Sequence, residues 1–393
     1  MLVAFLLGIL FDRLRLPPFL GQILGGFLVG SLLFPLLSRM LTGRHFHVPD
    51  FSSPAFDVLG TLGLILLMLV SGLEVKEKEL LSAGKHSLLT AIGGFIFPLG
   101  AGLLLGSWFG WQTRQGIVLG LMMAPTSIGI TAVTLVELNR LRTGEGLTML
   151  GAAIIDDVMV IVAAAVVLAT GSITVLSVQI IAFFLLIWIL GKFLIPRLVA
   201  AGYRTSLKGS GAAFVLVITI FTALLAESFD VALVTGAFLT GMFLASSSIK
   251  EKIAQDIETI AASLFIPLFF FLVGVRIDAA ALSKSGPLLL AVIPVSILAK
   301  SGGAFLGARV SGLSRRNAFA VGLGMGPRLE FPIIIALLAA RKGFFSNNAA
   351  QELFGMTMGM VTFSIIATPL LLRWIYSRRP EVVEEIHEHP TQK

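Results

Sequence analysis

Two adjacent carboxylates, Asp156 and Asp157, stand inside the otherwise uncharged run GAAIIDDVMVIVAAAVVLA, residues 151–169. Lys300 stands inside a second such run, LLLAVIPVSILAKSGGAFLGA, residues 288–308. Each run is long enough to cross a bilayer as a helix, which takes about 20 apolar residues. A charge at the centre of such a helix costs about 2.5–3.5 kcal/mol on insertion scales, so each needs a function and a partner. Consecutive helix residues point about 100° apart, so one carboxylate can face an ion path while its neighbour faces another helix. Buried carboxylates can hold either a proton or a metal ion. Lys300 is too far from the ends of its run to reach the headgroups. Asp156 or Asp157 is its natural partner.

Two interrupted segments accompany these charges. One carries Ala124-Pro125-Thr126-Ser127-Ile128-Gly129, the other Gly324-Met325-Gly326-Pro327-Arg328. Proline removes an amide donor and clashes with the preceding turn, so both helices should break in mid-membrane, at Pro125 and at Gly326-Pro327. Irregular backbone at that depth is tolerated only inside protein or against a wet cavity. The freed carbonyls and the hydroxyls of Thr126 and Ser127 offer oxygen ligands to a hard cation. Arg328 stays charged and needs compensation. Glu330 is the nearest carboxylate in sequence, but two positions apart they meet only if the backbone is unwound.

The elements that position these residues are spans. The chain is 393 residues long, 56% hydrophobic and 13% charged, where soluble domains are about a quarter charged. Apolar segments lie near 1–11, 18–36, 55–73, 87–109, 115–136, 147–169, 173–195, 211–226, 230–246, 258–275, 286–308, 318–340 and 351–376. The expectation is an all-α integral membrane protein of about 13 transmembrane helices. The first segment is short for a span, which points to a natural start upstream of Met1. Of 29 Lys and Arg, Lys300 and Arg328 lie inside segments. Twenty of the rest follow odd-numbered segments, and only Arg39, Arg44, Arg114, Arg276, Lys284, Arg341 and Lys342 follow even ones. That bias places the N-terminus outside and the C-terminus in the cytoplasm. It also explains the net charge of +7 without nucleic acid as a partner. Cysteine is absent, so thiolate metal sites and disulfides are excluded. His45 and His47 fall in a loop with no metal-ligand company. No nucleophile–base set or nucleotide motif suggests an enzyme.

The sequence also repeats itself. LGLMMAP (119–125) matches VGLGMGP (321–327), and LVSGLEV (69–75) matches FLVGVRI (271–277), both at an offset of 202. GGFLVG (25–30) matches GAFLTG (236–241) at a nearby offset. Segments 2, 3 and 5 thus correspond to segments 9, 10 and 12. Seven segments separate each pair, and seven is odd, so the two copies cross the membrane in opposite directions. Inverted repeats with Gly/Pro-interrupted spans at matching positions point to a secondary transporter whose site lies near the midplane.

With GAAIIDDV, APTSIGIT, ILAKSGGAFLGA and GMGPRLEF in view, nearly the whole chain resembles the cation/proton antiporter superfamily, in its NapA-like bacterial sodium/proton antiporter branch. The resemblance implies a NapA/NhaA-like fold with two crossed discontinuous helices and a homodimer. It implies a dimerisation or scaffold domain from 1–86 and 211–285, and a core ion-transport domain from 87–171 and 286–376. A linker helix then covers 172–210 and a cytoplasmic tail 377–393. It implies that Asp157 binds the ion, that Asp156 pairs with Lys300, and that Thr126 and Ser127 help coordinate. Arg328 and Glu330 become a structural charge pair. The Asp-Asp form resembles electrogenic members.

The resulting expectation is a transporter in the bacterial cytoplasmic membrane that exchanges Na⁺, with Li⁺ as a further candidate, for protons, by an elevator movement and without a cofactor. Potassium/proton antiport on the same fold is the alternative. A sodium/organic-solute symporter and a passive channel are more distant readings.

Overall fold

The computed structural model describes residues 1–14, 16–34, 36, 53–168, 173–205, 207, 209–275 and 286–377. Over these residues the chain is helical and contains no strand. A bilayer leaves a backbone few other choices, because unpaired amides and carbonyls are costly in hydrocarbon.

The helices are α1 Leu2–Arg13, α2 Pro18–Leu28, α3 Pro54–Leu73, α4 Glu77–Ser82, α5 Gly84–Trp108, α6 Thr113–Met123, α7 Ile128–Glu137, α8 Gly144–Leu168, α9 Ile173–Ile189, α10 Ile195–Arg204, α11 Ser210–Ser228, α12 Leu233–Leu244, α13 Lys250–Ile260, α14 Ile266–Val275, α15 Gly286–Val310, α16 Arg315–Gly324, α17 Glu330–Arg341 and α18 Asn347–Ser377. Single π-helical turns, at Leu190–Leu194 and Ala261–Phe265, join α9 to α10 and α13 to α14. Among the described residues, nine helical stretches are long and apolar enough to cross a membrane. Three shorter apolar stretches accompany them: Pro18–Ser31, Leu233–Leu244 and Phe331–Ala340. The protein is therefore a multi-pass membrane protein. The short helix α4 between α3 and α5 has no counterpart in the apolar pattern. The loop histidines 45 and 47, the residues 276–285 and the tail from 378 lie outside the described residues.

Helix α5 packs along α15, α6 and α8, and α16 and α18 also lie against α15. On the other side α3 packs on α12 and α14, and α2 on α1 and α14. Contact between the two sets runs through α3 on α7, while α9 touches both α8 and α11.

The repeat is visible in these contacts. A Cβ on Gly72 of α3 would collide with the Phe238 carbonyl of α12, and one on Gly241 of α12 with the Leu69 carbonyl of α3. The same reciprocal contact joins α14 to α2: Gly274 meets the Ile23 carbonyl and Gly26 the Phe271 carbonyl. Small residues let backbones approach this closely where lipid supplies no hydrophobic drive to bring helices together.

Candidate functional site

The two interrupted segments break where the prolines stand. α6 ends at Met123 and α7 begins at Ile128; α16 ends at Gly324 and α17 begins at Glu330. The Ser127 hydroxyl caps α7 by accepting from the Ile130 amide at 3.5 Å. The breaks lie against each other. The Ser127 amide donates to the Pro327 carbonyl at 2.7 Å, Thr126 Oγ1 to the Met325 carbonyl at 3.0 Å, and Thr131 Oγ1 to the Gly324 carbonyl at 2.9 Å. Each broken helix therefore supplies donors for backbone that the other leaves unpaired.

Two buried cations complete the crossing. Lys300, on α15, donates to the Ala124 carbonyl and to Asp156 Oδ2, each at 2.5 Å, and both of its ion-pair side chains are wholly buried. Arg328 is also fully buried. Its guanidinium donates to the Met123 carbonyl from Nε at 3.0 Å and from Nη2 at 2.8 Å. It reaches the Gly326 carbonyl at 3.0 Å and the Ser296 carbonyl of α15 at 2.8 Å. The C-terminal ends of α6 and α16 carry partial negative charge, so the two cations stand where the helix dipoles favour them. Six break carbonyls, on Met123, Ala124, Gly324, Met325, Gly326 and Pro327, thus already accept protein hydrogen bonds. The expectation that freed carbonyls stand open as cation ligands is not met for these six. A buried carbonyl without a donor is costly, and the fold fills the vacancy from its own side chains.

The two carboxylates part company. Asp156 takes Lys300 and also accepts from Thr126 Oγ1 at 3.1 Å. Asp157, one residue on, lines a narrow cavity of about 10 Å³ with Pro125, Thr126 and Ser127. The rest of that wall is Ile128 and Gly129 at the start of α7, Leu329, Phe331 and Pro332 at the start of α17, Leu64 of α3 and Val234 of α12. The cavity holds about one water-sized particle. It opens at the positive ends of two half-helices, which favour an ionised carboxylate beside them. Negative charge therefore sits at the N-terminal ends of the breaks and positive charge at the C-terminal ends.

The structure thus gathers Asp156, Asp157, Thr126, Ser127, Lys300, Arg328, Pro125, Gly326 and Pro327 at one place. The side chain of Glu330 lies outside the described residues, and its backbone opens α17. Arg328 is held by carbonyls from three segments, which spacing alone could not reveal. Sequence reasoning also missed Leu64, Val234, Phe331 and Pro332, since nothing marks one apolar residue as a cavity wall.

The family model for the transmembrane sodium/hydrogen exchanger matches residues 1–378. The chain belongs to the sodium/hydrogen exchanger family. Exchangers of this family are secondary transporters of cations and protons rather than enzymes. The chain is 27% identical over 384 residues to the Na⁺/H⁺-K⁺ antiporter GerN of Bacillus cereus, covering 96% of this chain and 95% of GerN. It is 30% identical over 370 residues to a Na⁺/H⁺ antiporter of Enterococcus hirae, covering 92% of each. Among solved structures, the sodium proton antiporter MjNhaP1 of Methanocaldococcus jannaschii shares the exchanger fold with a TM-score of 0.68 at 18% identity, covering 96% of both chains.

Proposed function

We propose that this exchanger trades Na⁺ for protons at Asp157, with Thr126 and Ser127 as further oxygen ligands. The observation that carries the reading is the division of labour between neighbours on α8. Asp156 is tied to Lys300, while Asp157 lines the one cavity that reaches both helix breaks. A carboxylate in so small a space holds a proton or one dehydrated ion, and occupancy by one excludes the other. The Asp156–Lys300 pair forms or parts with loading, so more than one charge moves per cycle and exchange is electrogenic.

In this reading, α5–α8 and α15–α18 form the moving core, while α1–α3 and α11–α14 form the scaffold. The cavity wall contains members of both sets, Leu64 and Val234 opposite Asp157. A slide of the core would carry Asp157 past that apolar wall and expose it to the other side, an elevator. The scaffold supplies the homodimer contact. The N-terminus lies outside and the C-terminus in the cytoplasm, as the basic residues indicate. All thirteen apolar segments then count as spans, α1 and the two broken ones included.

The test is exchange by purified protein in liposomes carrying a pH dye and a potential dye. An imposed Na⁺ gradient should drive proton movement of opposite sense and displace the potential. Parallel runs with Li⁺ and K⁺ address the second reading, K⁺/H⁺ antiport, which the name of GerN favours. Equal responses to Na⁺ and K⁺ would remove the Na⁺ assignment. No response to any cation would remove the antiport reading.

A further inference from the structure

The Lys300 ammonium sits where a side chain on α5 would otherwise be. Gly94 is buried in the face of α5 that packs on α15. A Cβ built on it would lie 3.1 Å from Lys300 Nζ and 3.4 Å from Lys300 Cε. Its next neighbour, Ala304 Cβ, is at an ordinary contact distance of 3.6 Å. The close approach at Gly94 is therefore to the ammonium alone. Adjacent glycines of the same seam behave differently: Gly93 meets the Gly303 carbonyl, and Gly307 meets the Leu89 carbonyl, which are backbone contacts. Those glycines let two helices touch. Gly94 leaves room for a charge.

We propose that Gly94 is a positioning residue of the exchange site, setting the depth of the Lys300 ammonium by the absence of its own side chain. This rests on the reading of Lys300 and Asp156 as part of the transport machinery. The ammonium is held on its far side by the Ala124 carbonyl and Asp156 Oδ2. The other charged groups within electrostatic reach are Asp157 on α8 and Arg328 after the second break. A methyl at position 94 pushes the ammonium away from α5. The only room to yield is toward the broken helix and the cation cavity, where a misplaced positive charge competes with the ion.

The consequence is a split between stability and function. Alanine is a better helix former than glycine. Gly94→Ala should leave the melting temperature of the purified protein unchanged or raised, and still raise the apparent KM for Na⁺ by up to about tenfold with kcat nearly kept, the scale of a sub-ångström misplacement. Gly94→Val should go further and approach the activity of Lys300→Ala. Gly100, on the same helix, has no atom within 4 Å of its Cβ position, so Gly100→Ala is the control and should match the wild type.

The deciding experiment combines Gly94→Ala with Lys300→Ala, following Na⁺-driven exchange in liposomes and thermal melting in detergent. With the lysine truncated there is no ammonium to displace. The Gly94 substitution should then have no further effect on KM, and melting should stay level or rise. An equal KM effect in both backgrounds, or a melting loss in both, would overturn the proposal and make Gly94 a packing residue. A Gly, Ala, Val series without graded KM would overturn it too, and that series needs no Lys300 variant. Failure of the wild type to exchange any cation would refute the antiport reading instead, while the melting comparison still reports on Gly94 and Lys300.

Discussion

The inverted repeat builds two kinds of helix crossing, and they solve opposite problems. At α3 with α12, and again at α2 with α14, glycines bring uninterrupted backbones together and no charge is involved. At α6–α7 with α16–α17 the backbone is broken, and its orphan groups are met by hydroxyls, by Lys300 and by Arg328. One kind of crossing is held by contact and the other by hydrogen bonds and charge. The lesson is that a repeat can keep its topology while one copy of a motif serves packing and another serves a site. In the polar crossing the cations occupy the negative helix ends and Asp157 the positive ones, so the site's electrostatics follow from where the chain is interrupted.

The largest expected effect is at Arg328. Arg328→Ala removes the donors of three buried carbonyls at once, on Met123, Gly326 and Ser296. Each orphan costs about 1–3 kcal/mol, so the total is at least about 3 kcal/mol and the protein should fail to yield a monodisperse species in detergent. Arg328→Lys keeps the charge without the fork and should fall between. A stable Arg328→Ala protein would mean that the polar crossing is not held by these bonds.

Next comes the glycine crossing. Gly72→Ala and Gly274→Ala each push a methyl into a facing carbonyl and should cost about 1–3 kcal/mol by overpacking, read as a lower melting temperature. The two costs should be similar, since the contacts are equivalent. A large loss at one and none at the other would break the correspondence between the repeats.

Thr126→Val tests how the crossings differ in function. Valine keeps the shape but loses the hydrogen bonds to Asp156 and the Met325 carbonyl, a cost of about 1–2 kcal/mol in melting. Exchange should fall as well, because a cavity oxygen is gone. Unchanged apparent affinity for Na⁺ would remove Thr126 from the ligand set.

The smallest effect is outside the membrane. Glu79 of α4 pairs with Arg142 of the loop before α8 at 2.7 Å. Burial pushes its carboxyl up, but hydrogen bonds from Arg142 and from the Lys76 backbone outweigh that and leave it below its ordinary value of 4.5. A depressed carboxylate stabilises the fold above that ordinary value, and the contribution is lost as pH falls through the folded-state value. Arg142 is half exposed, so Glu79→Gln should cost under about 1 kcal/mol, equally at pH 6 and pH 8, with the difference closing only in acid. A melting difference that varied between pH 6 and pH 8 would contradict this assignment.

How much of this was legible beforehand depends on the kind of feature. The spans could be read because apolar length is set by the bilayer. The charged residues could be read because the membrane makes each one expensive. The break positions followed from Pro125 and Pro327. Partner choice was not legible for Arg328, because backbone carbonyls carry no sequence signature and the natural guess was the nearest carboxylate, Glu330. The role of Gly94 was hidden for a similar reason. A glycine in a membrane helix reads as packing until the atom filling its space is known. Helix α4 is short and polar, and it lacks the periodicity that would announce a helix.

The central claim is that Na⁺ and a proton displace one another at Asp157. The most direct measurement is the apparent Na⁺ affinity of the purified exchanger as a function of pH, for the wild type and for Asp157→Asn at matched melting temperature. One shared site predicts that Na⁺ affinity weakens as pH falls, approaching about tenfold per pH unit once the site is protonated, and that Asp157→Asn abolishes binding. An affinity independent of pH, or an Asp157→Asn protein that binds and exchanges Na⁺ as the wild type does, would contradict the account.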